Sequence, residues 1–466
     1  MPTQPLPLPI HSYQLRSAPA STARLVNCYP EALPPDAKTP VLLSRTPGIT
    51  DWTTVGTGPI GGMFAALNYL FVVSGSKLWK IDSNKVATEL GSIGAPGNID
   101  MDANTTAIVV VNEPNAYYYD GTTFGQITDV DFTALGANSV EFDDNFLLFT
   151  VPDSDVFFGS DLGSATSFDA LNFASAEGAP DKLVGNKVDH RQALLLGEKS
   201  CELWYNSGQN GFPFTRAANG FIEIGCFNGA LAIKLDQSVY WPANDYTIRV
   251  LQGTTAVRKS THAIEQFLTT VTYGSGKAYS YTQDGHLFGV WTFPEGTIVF
   301  DATTSEWHER ETYGLDYWRA GVHAHAFGLE LVGDITSNKI GYLSATDYDE
   351  WAGIQRMEWT YQPVTPEGRG RIFHDRLTIV CDVGVGLTSG QGSDPQIMLD
   401  YSDDGGITWL SMPNRSLGPI GQYGVQVHWD GLGSSVKPRV FRAAVSDPVK
   451  VMIRDTLWTG RGGTVG

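Results

Sequence analysis

Basic residues are scarce in this 466-residue chain: 31 Lys+Arg stand against 50 Asp+Glu, a formal net charge of −19. A protein that grips nucleic acid by its phosphates needs a basic face from which counterions are released, so that class is excluded. A wall past which a polyanion slides is not excluded, because like-charge repulsion keeps such a wall from sticking to DNA. Charge of either sign is sparse, at 17% against the roughly 25% usual for soluble domains. Cysteine is rarer still. Cys28, Cys201, Cys226 and Cys381 lie far apart with no C-x-x-C spacing, and they read as buried free thiols rather than a disulfide frame or zinc site. No run approaches the roughly 18 apolar residues of a membrane span. The opening ten residues have neither a basic nor an apolar region of the kind a signal peptide needs, so none is expected.

Turn formers and aromatics are abundant: 51 Gly and 25 Pro, with 12 Trp, 19 Tyr and 22 Phe. A helical bundle and a disordered chain are both disfavoured by this balance. Between residues 61 and 352 an apolar strand, a polar turn and an aromatic-rich strand recur. The apolar members are Tyr69-Leu-Phe-Val-Val, Ala107-Ile-Val-Val-Val, Phe146-Leu-Leu-Phe, Ala193-Leu-Leu-Leu, Leu231-Ala-Ile-Lys-Leu, Leu287-Phe-Gly-Val-Trp and Leu329-Glu-Leu-Val. Their spacing averages about 43 residues, the length of a four-stranded propeller blade. One four-stranded sheet cannot bury both faces alone, so neighbours must stack around an axis. The fold class is therefore all-β: a β-propeller of about seven blades, with six blades and one unit in another role fitting the spacing as well. The longest interval holds Ser260-Thr-His-Ala-Ile-Glu-Gln-Phe267, which reads as a helix capped by Ser260 or Thr261.

Residues 1–60 are Pro-rich and irregular and read as an extended arm lying along the propeller or a neighbouring subunit. From 353 to 466 the texture changes to strands separated by Gly/Ser/Pro loops, which predicts a β-sandwich-like domain. Residues 384–394 read as a surface loop and 460–466 as a frayed tail.

The sharpest local motif is Ser402-Asp-Asp404-Gly-Gly406-Ile-Thr408-Trp409, an Asp-box turn. Its chemistry is structural: the Asp404 carboxylate accepts backbone N–H groups, Gly406 permits positive φ, and Trp409 packs under the hairpin. Sialidases and sugar-binding propellers carry several such turns, one per blade; this chain has one, outside the propeller. The acid pairs Asp143-Asp144 and Glu309/Glu311 lack the defined separation that glycoside hydrolysis requires, and the arginines Arg369, Arg371 and Arg376 crowd near the domain boundary rather than at blade ends. His323 and His325 share one strand face, with His308 as the one further candidate ligand, and His286 follows a turn. No nucleophile elbow, phosphate loop, dinucleotide fingerprint or H-E-x-x-H occurs. No catalytic residue, cofactor or metal is expected, and the chain reads as a non-enzyme that presents surfaces to other proteins.

The segment Ser21-Thr-Ala-Arg24-Leu-Val-Asn27-Cys-Tyr29-Pro30-Glu31, then Arg45-Thr-Pro-Gly-Ile49, the blade series, Tyr401–Trp409 and Val445-Ser-Asp-Pro-Val449 together resemble the packaged-DNA stabilisation proteins that form the tail hub, or nozzle, of short-tailed bacteriophages. The resemblance implies a structural virion protein, assembled in the host cytoplasm as six copies beneath the portal and its adaptor proteins. There it closes the head, retains DNA and forms the ejection conduit, through whose lumen DNA passes without specific binding. It also implies contacts with a tail needle or plug and with tailspikes or fibres. The alternative is a glycan-binding or sialidase-like propeller acting as a receptor-binding tail component, in which Trp241, Trp291, Trp307 and Trp318 would form the sugar platform. A bacterial surface lectin is a third reading, and the absence of a paired-cysteine frame weighs against it.

Overall fold

The computed structural model describes residues 3–14, 21–34, 36–37, 39–365 and 370–463. Six four-stranded antiparallel sheets, and one four-stranded antiparallel run that belongs to a larger sheet, make up seven successive blades. Their first strands stand side by side around a ring: Ile60–Ala66, Ile99–Ala103, Ser139–Asp143, Leu183–Asp189, Ile233–Leu235, Lys277–Gln283 and Ala320–Ala326. The last of these lies beside the first, so the ring is closed with seven blades. Second strands such as Ile108–Asn112 and Phe146–Thr150 are almost wholly buried, because each is covered on both faces by neighbouring blades. That is why they are the legible part of the repeat.

Blade 5 departs from the sequence reading. Its first strand is Ile233–Leu235 and its second is Ser238–Pro242, one strand later than the apolar run at Leu231 suggested. The long interval to blade 6 is filled by a helix, His262–Leu268, with Thr261 at its N-cap. Ile264 and Leu268 of this helix are buried against Trp291, Phe293 and Trp307.

The described residues among the first sixty are built into both domains as strands. Blade 7 has only three strands of its own, and its outer strand is Ile49–Thr54, paired antiparallel to Lys339–Leu343. The ring is thus closed by a strand that precedes blade 1, so opening it requires breaking a complete ladder. Upstream, Thr22–Val26 pairs with Met357–Thr360, and Cys28–Ala32 pairs with Val41–Arg45. Asn27 stands between them at φ 53°, in the left-handed region that Asn tolerates. Its amide Nδ2 donates to the carbonyls of Glu311 and Arg356, fixing the point where the chain crosses from one sheet to the other.

Those strands complete a sandwich. One layer runs Thr22–Val26, Met357–Thr360, Val440–Val445, Gln396–Ser402; the other runs Cys28–Ala32, Val41–Arg45, Met452–Gly463, Arg371–Cys381, Val427–Asp430. Between them Leu25, Leu43, Trp359, Tyr361, Leu377, Trp429 and Phe441 form one buried core. Through the single parallel pair Val26–Glu309, the first layer continues into blade 6 as one eleven-stranded sheet. The expected frayed tail is also corrected for 460–463, which pair with Arg371–His374; residues 464–466 lie outside the described residues.

His308 sits in blade 6 with no exposed surface and neither ring nitrogen hydrogen-bonded, packed edge-on to Phe288. Burial pushes its pKa down to about 3. The folded value lies below the unfolded one, so stability is complete above about pH 6.5 and is lost as pH falls toward 3. At pH 5 this group alone costs about 2 kcal/mol. His308→Leu is therefore expected to flatten the acid limb of the melting-temperature profile between pH 7 and 4. An unchanged slope would show that the imidazole acquires its proton without opening the fold.

Candidate functional site

Two constructions in the fold hold the charged residues that the sequence scatters. The first is the propeller axis. Neighbouring first strands lie side by side without sharing a ladder, so their inward backbone N–H groups need other acceptors. Carboxylates from the preceding blade supply them. Asp100 accepts from Val140 N–H at 3.0 Å, Asp102 from Phe142 N–H at 2.7 Å, and Glu141 from Val188 N–H at 3.1 Å. Glu141 also takes Lys187 Nζ at 2.6 Å from blade 4 and Lys234 Nζ at 2.9 Å from blade 5, so one carboxylate ties three blades. Burial alone would raise the Glu141 pKa, but the two lysines outweigh it and hold the group below its usual range. Burial pushes Asp102 up to about 6, with Glu141 adding to the rise.

The second is the joint between propeller and sandwich, centred on Arg24. Its guanidinium lies at 2.7 Å from Glu309, against Glu311, and at 3.9 Å from Glu358. Glu358 also meets Arg356 at 3.0 Å and Arg442 at 3.9 Å, and Arg442 bonds Asp400 at 2.8 Å. Three hollows of about 460, 320 and 320 Å³ share Arg24 as a wall. The Glu309/Glu311 pair is thus consumed by an arginine and offers no free acid–base couple.

The Asp-box turn borders this joint, with Gly405, Gly406 and Trp409 on the third hollow. Ser402 Oγ donates to Asp404 at 2.7 Å, and Asp404 accepts the backbone N–H groups of Ile407 and Thr408 at 3.0 and 2.9 Å. Thr408 Oγ1 donates to its other oxygen at 2.6 Å. Thr408 and Ser402 hydrogen bonds hold the Asp404 pKa well below the usual carboxylate range. Gly406 has φ 93°. Trp409 lies under the Arg442 guanidinium at 4.1 Å, which fastens the turn to the joint.

The other sequence candidates lie apart. His323 and His325 both bond Glu330, at 2.6 and 2.8 Å, while His308 is buried away from them against Phe288 and Tyr29. His286 holds Asp301 at 2.7 Å. Asp144 is taken by Arg191. Arg371 and Arg376 bond Ser434 and Asp430, and Arg369 lies outside the described residues. Trp241, Trp291, Trp307 and Trp318 are fully buried, so none of them faces a ligand. All four cysteines are buried free thiols. Among the described residues no three His, Cys, Asp or Glu side chains converge to hold a metal ion, and no helix is long and apolar enough to cross a membrane. What sequence reading missed is the axial network. Its signal was a charged residue recurring in successive first strands.

The family model described as bacteriophage P22 Gp10, beta-propeller, matches residues 12–348, and the one described as bacteriophage P22 Gp10, beta-sandwich, matches residues 360–457. No curated protein matches the chain. Among solved structures, the chain is similar to the computationally designed Ika8 protein (14% identity, 69% of this chain and 100% of that one, TM-score 0.38). It is also similar to the Pan2 WD40 domain of Neurospora crassa (11%, 63% and 95%, TM-score 0.41). A third likeness is to the extracellular domain of the putative one component system BT4673 from B. thetaiotaomicron (9%, 85% and 58%, TM-score 0.43). Likeness at that level carries no functional argument. The two family models span both domains in order, and the chain belongs to the bacteriophage P22 Gp10 family, structural proteins of the phage tail and so of the virion.

Proposed function

We propose that this chain is the hub, or nozzle, of a short phage tail. Six copies beneath the portal and its adaptor ring close the filled head, retain the DNA and later form the conduit through which it leaves. The same copies meet the needle or plug and the tailspikes or fibres, and they assemble in the host cytoplasm. The observation that carries this reading is the match of both domains, propeller then sandwich, to one tail-protein family. Glu141, Lys187 and Lys234 tie blades 3, 4 and 5 on one side of the ring, and in this reading the DNA path runs between copies. A net charge of −19 per chain suits a wall that lets a polyanion pass without gripping it. The Asp-box turn serves as a fastening of the joint. The sugar-binding alternative loses its platform, since its four tryptophans are core residues.

The test is DNA retention by filled heads lacking this protein, with and without the purified chain added back. Restored retention together with co-sedimentation of the chain is expected. Equal leakage in both arms overturns the closure role.

A further inference from the structure

The sandwich ends in two loops, residues 383–393 and 416–426, that contain no charged residue in a chain otherwise strongly acidic. They are built together rather than loose. Gly384 N–H donates to Leu417 O at 2.8 Å, Gly386 N–H to Gly418 O at 3.3 Å, and Gly421 N–H to Gly384 O at 3.3 Å. Gly384, Gly418 and Gly421 all have positive φ, which lets the two loops close on each other. This fixed tip exposes Leu387, Ile420 and Tyr423, at 40, 61 and 75% of their surface.

A second apolar group lies on the other domain. In blade 3 the outer strand Phe168–Ser175 follows its neighbour from Val156 to Phe158, then bulges before Phe168 meets Ser160. The bulge carries Leu171, 75% exposed, beside Phe173. The short helix Val130–Leu135 rests on this strand and adds the exposed Val130. Single exposed apolar residues are ordinary, but grouped ones on a rigid frame mark contact surfaces.

We propose that the uncharged sandwich tip of one copy packs on the blade 3 rim of the next copy. This rests on the multi-copy hub reading. Copies carrying −19 each repel one another across most of their surface, and a tip without charge is where a like-charged neighbour approaches without that penalty. The rim contributes the half-buried Asp131 and the exposed Asp169, and these meet hydrogen-bond donors of the tip (Gln422, Tyr423) rather than carboxylates. A closed ring of identical chains also needs two different surfaces per chain, meeting head to tail, and a tip on one domain with a rim on the other supplies such a pair.

The test uses phage particles assembled with the Leu171→Cys/Tyr423→Cys chain and a short bifunctional maleimide. The native cysteines are all buried and do not compete. A ladder of chain multiples on denaturing gels is expected from the double variant and from neither single one. Ile420→Asp is expected to lower the copies per particle at least five-fold while the purified chain melts as the wild type does. Three results overturn the proposal: no ladder although each particle holds several copies, a dimer from Tyr423→Cys alone, or a Tyr423→Cys product joined to a different tail protein. One copy per particle would overturn the multi-copy reading itself.

Discussion

Arg45→Met is expected to destabilise the whole chain by roughly 3–5 kcal/mol, because it orphans several buried carbonyls at once. Arg45 is 2% exposed. Its Nη1 donates to the carbonyls of Asp447 and Val449 (3.0 Å to the latter), on the sandwich side. Its Nη2 donates to those of Tyr348 (3.2 Å) and Gln355, where the propeller ends and the connection begins. Burial pushes its pKa down to about 10, so it remains charged at neutral pH. Methionine fills much of the same volume but takes the Arg45 donors from the carbonyls of Val449, Tyr348 and Gln355 in a dry joint, while that of Asp447 keeps the Val449 N–H, and each orphan costs about 1–3 kcal/mol before relaxation. Calorimetry should show a fall of roughly 3–5 °C and a sandwich transition separating from that of the propeller. Arg45→Lys keeps the charge but cannot reach both sides and should recover only part of the loss. A variant that melts within a degree of wild type, in one transition, would show that the joint is held by the shared sheet alone.

The same residue shows how far sequence could be read. Arg45-Thr-Pro-Gly-Ile49 was visible as a motif carrying the family resemblance, yet nothing local says why it is there. The structure supplies the reasons. Arg45 is the clamp, and Gly48 passes so close to Asp349 that a Cβ would fall 1.8 Å from its carbonyl oxygen. Ile49 then begins the strand that closes the ring. Because the strand's partners come about 290 residues later in the chain, its alternation looked like an irregular segment among prolines. The blades were legible because their second strands are apolar on both faces. Blade 5 slipped because its second strand, Ser238-Val-Tyr-Trp-Pro242, carries Ser and Pro while the preceding Leu231–Leu235 stretch reads as more apolar. The Asp-box was legible in full, since every partner of Asp404 lies within four residues. Arg24 was not, since its partners lie 285 or more positions away.

The axis is where the second large effect is expected, and there a pair of substitutions is more telling than either one. Glu141 is 5% exposed and binds Lys187, itself lying 3.7 Å from Asp100. Glu141→Gln leaves Lys187 with only that distant partner. Lys187→Met leaves Glu141 to Lys234 and sets it against an uncompensated Asp100. Each single change is expected to cost about 3 kcal/mol, because a buried charge stripped of its partner keeps its desolvation penalty. In the double variant both charges are gone together, and much of that penalty goes with them. The summed single losses should exceed the double loss by about 2 kcal/mol, read from denaturant unfolding. Lys234→Met should cost under about 1 kcal/mol, since Lys234 is half exposed and solvent screens it. Strict additivity would mean that the carboxylate-to-backbone contacts at Val140, Phe142 and Val188 hold the blades in register and that the lysines only neutralise. A strong coupling would mean that the blades are tied through charge. A propeller tied that way holds blades 3, 4 and 5 together through the Glu141 carboxylate.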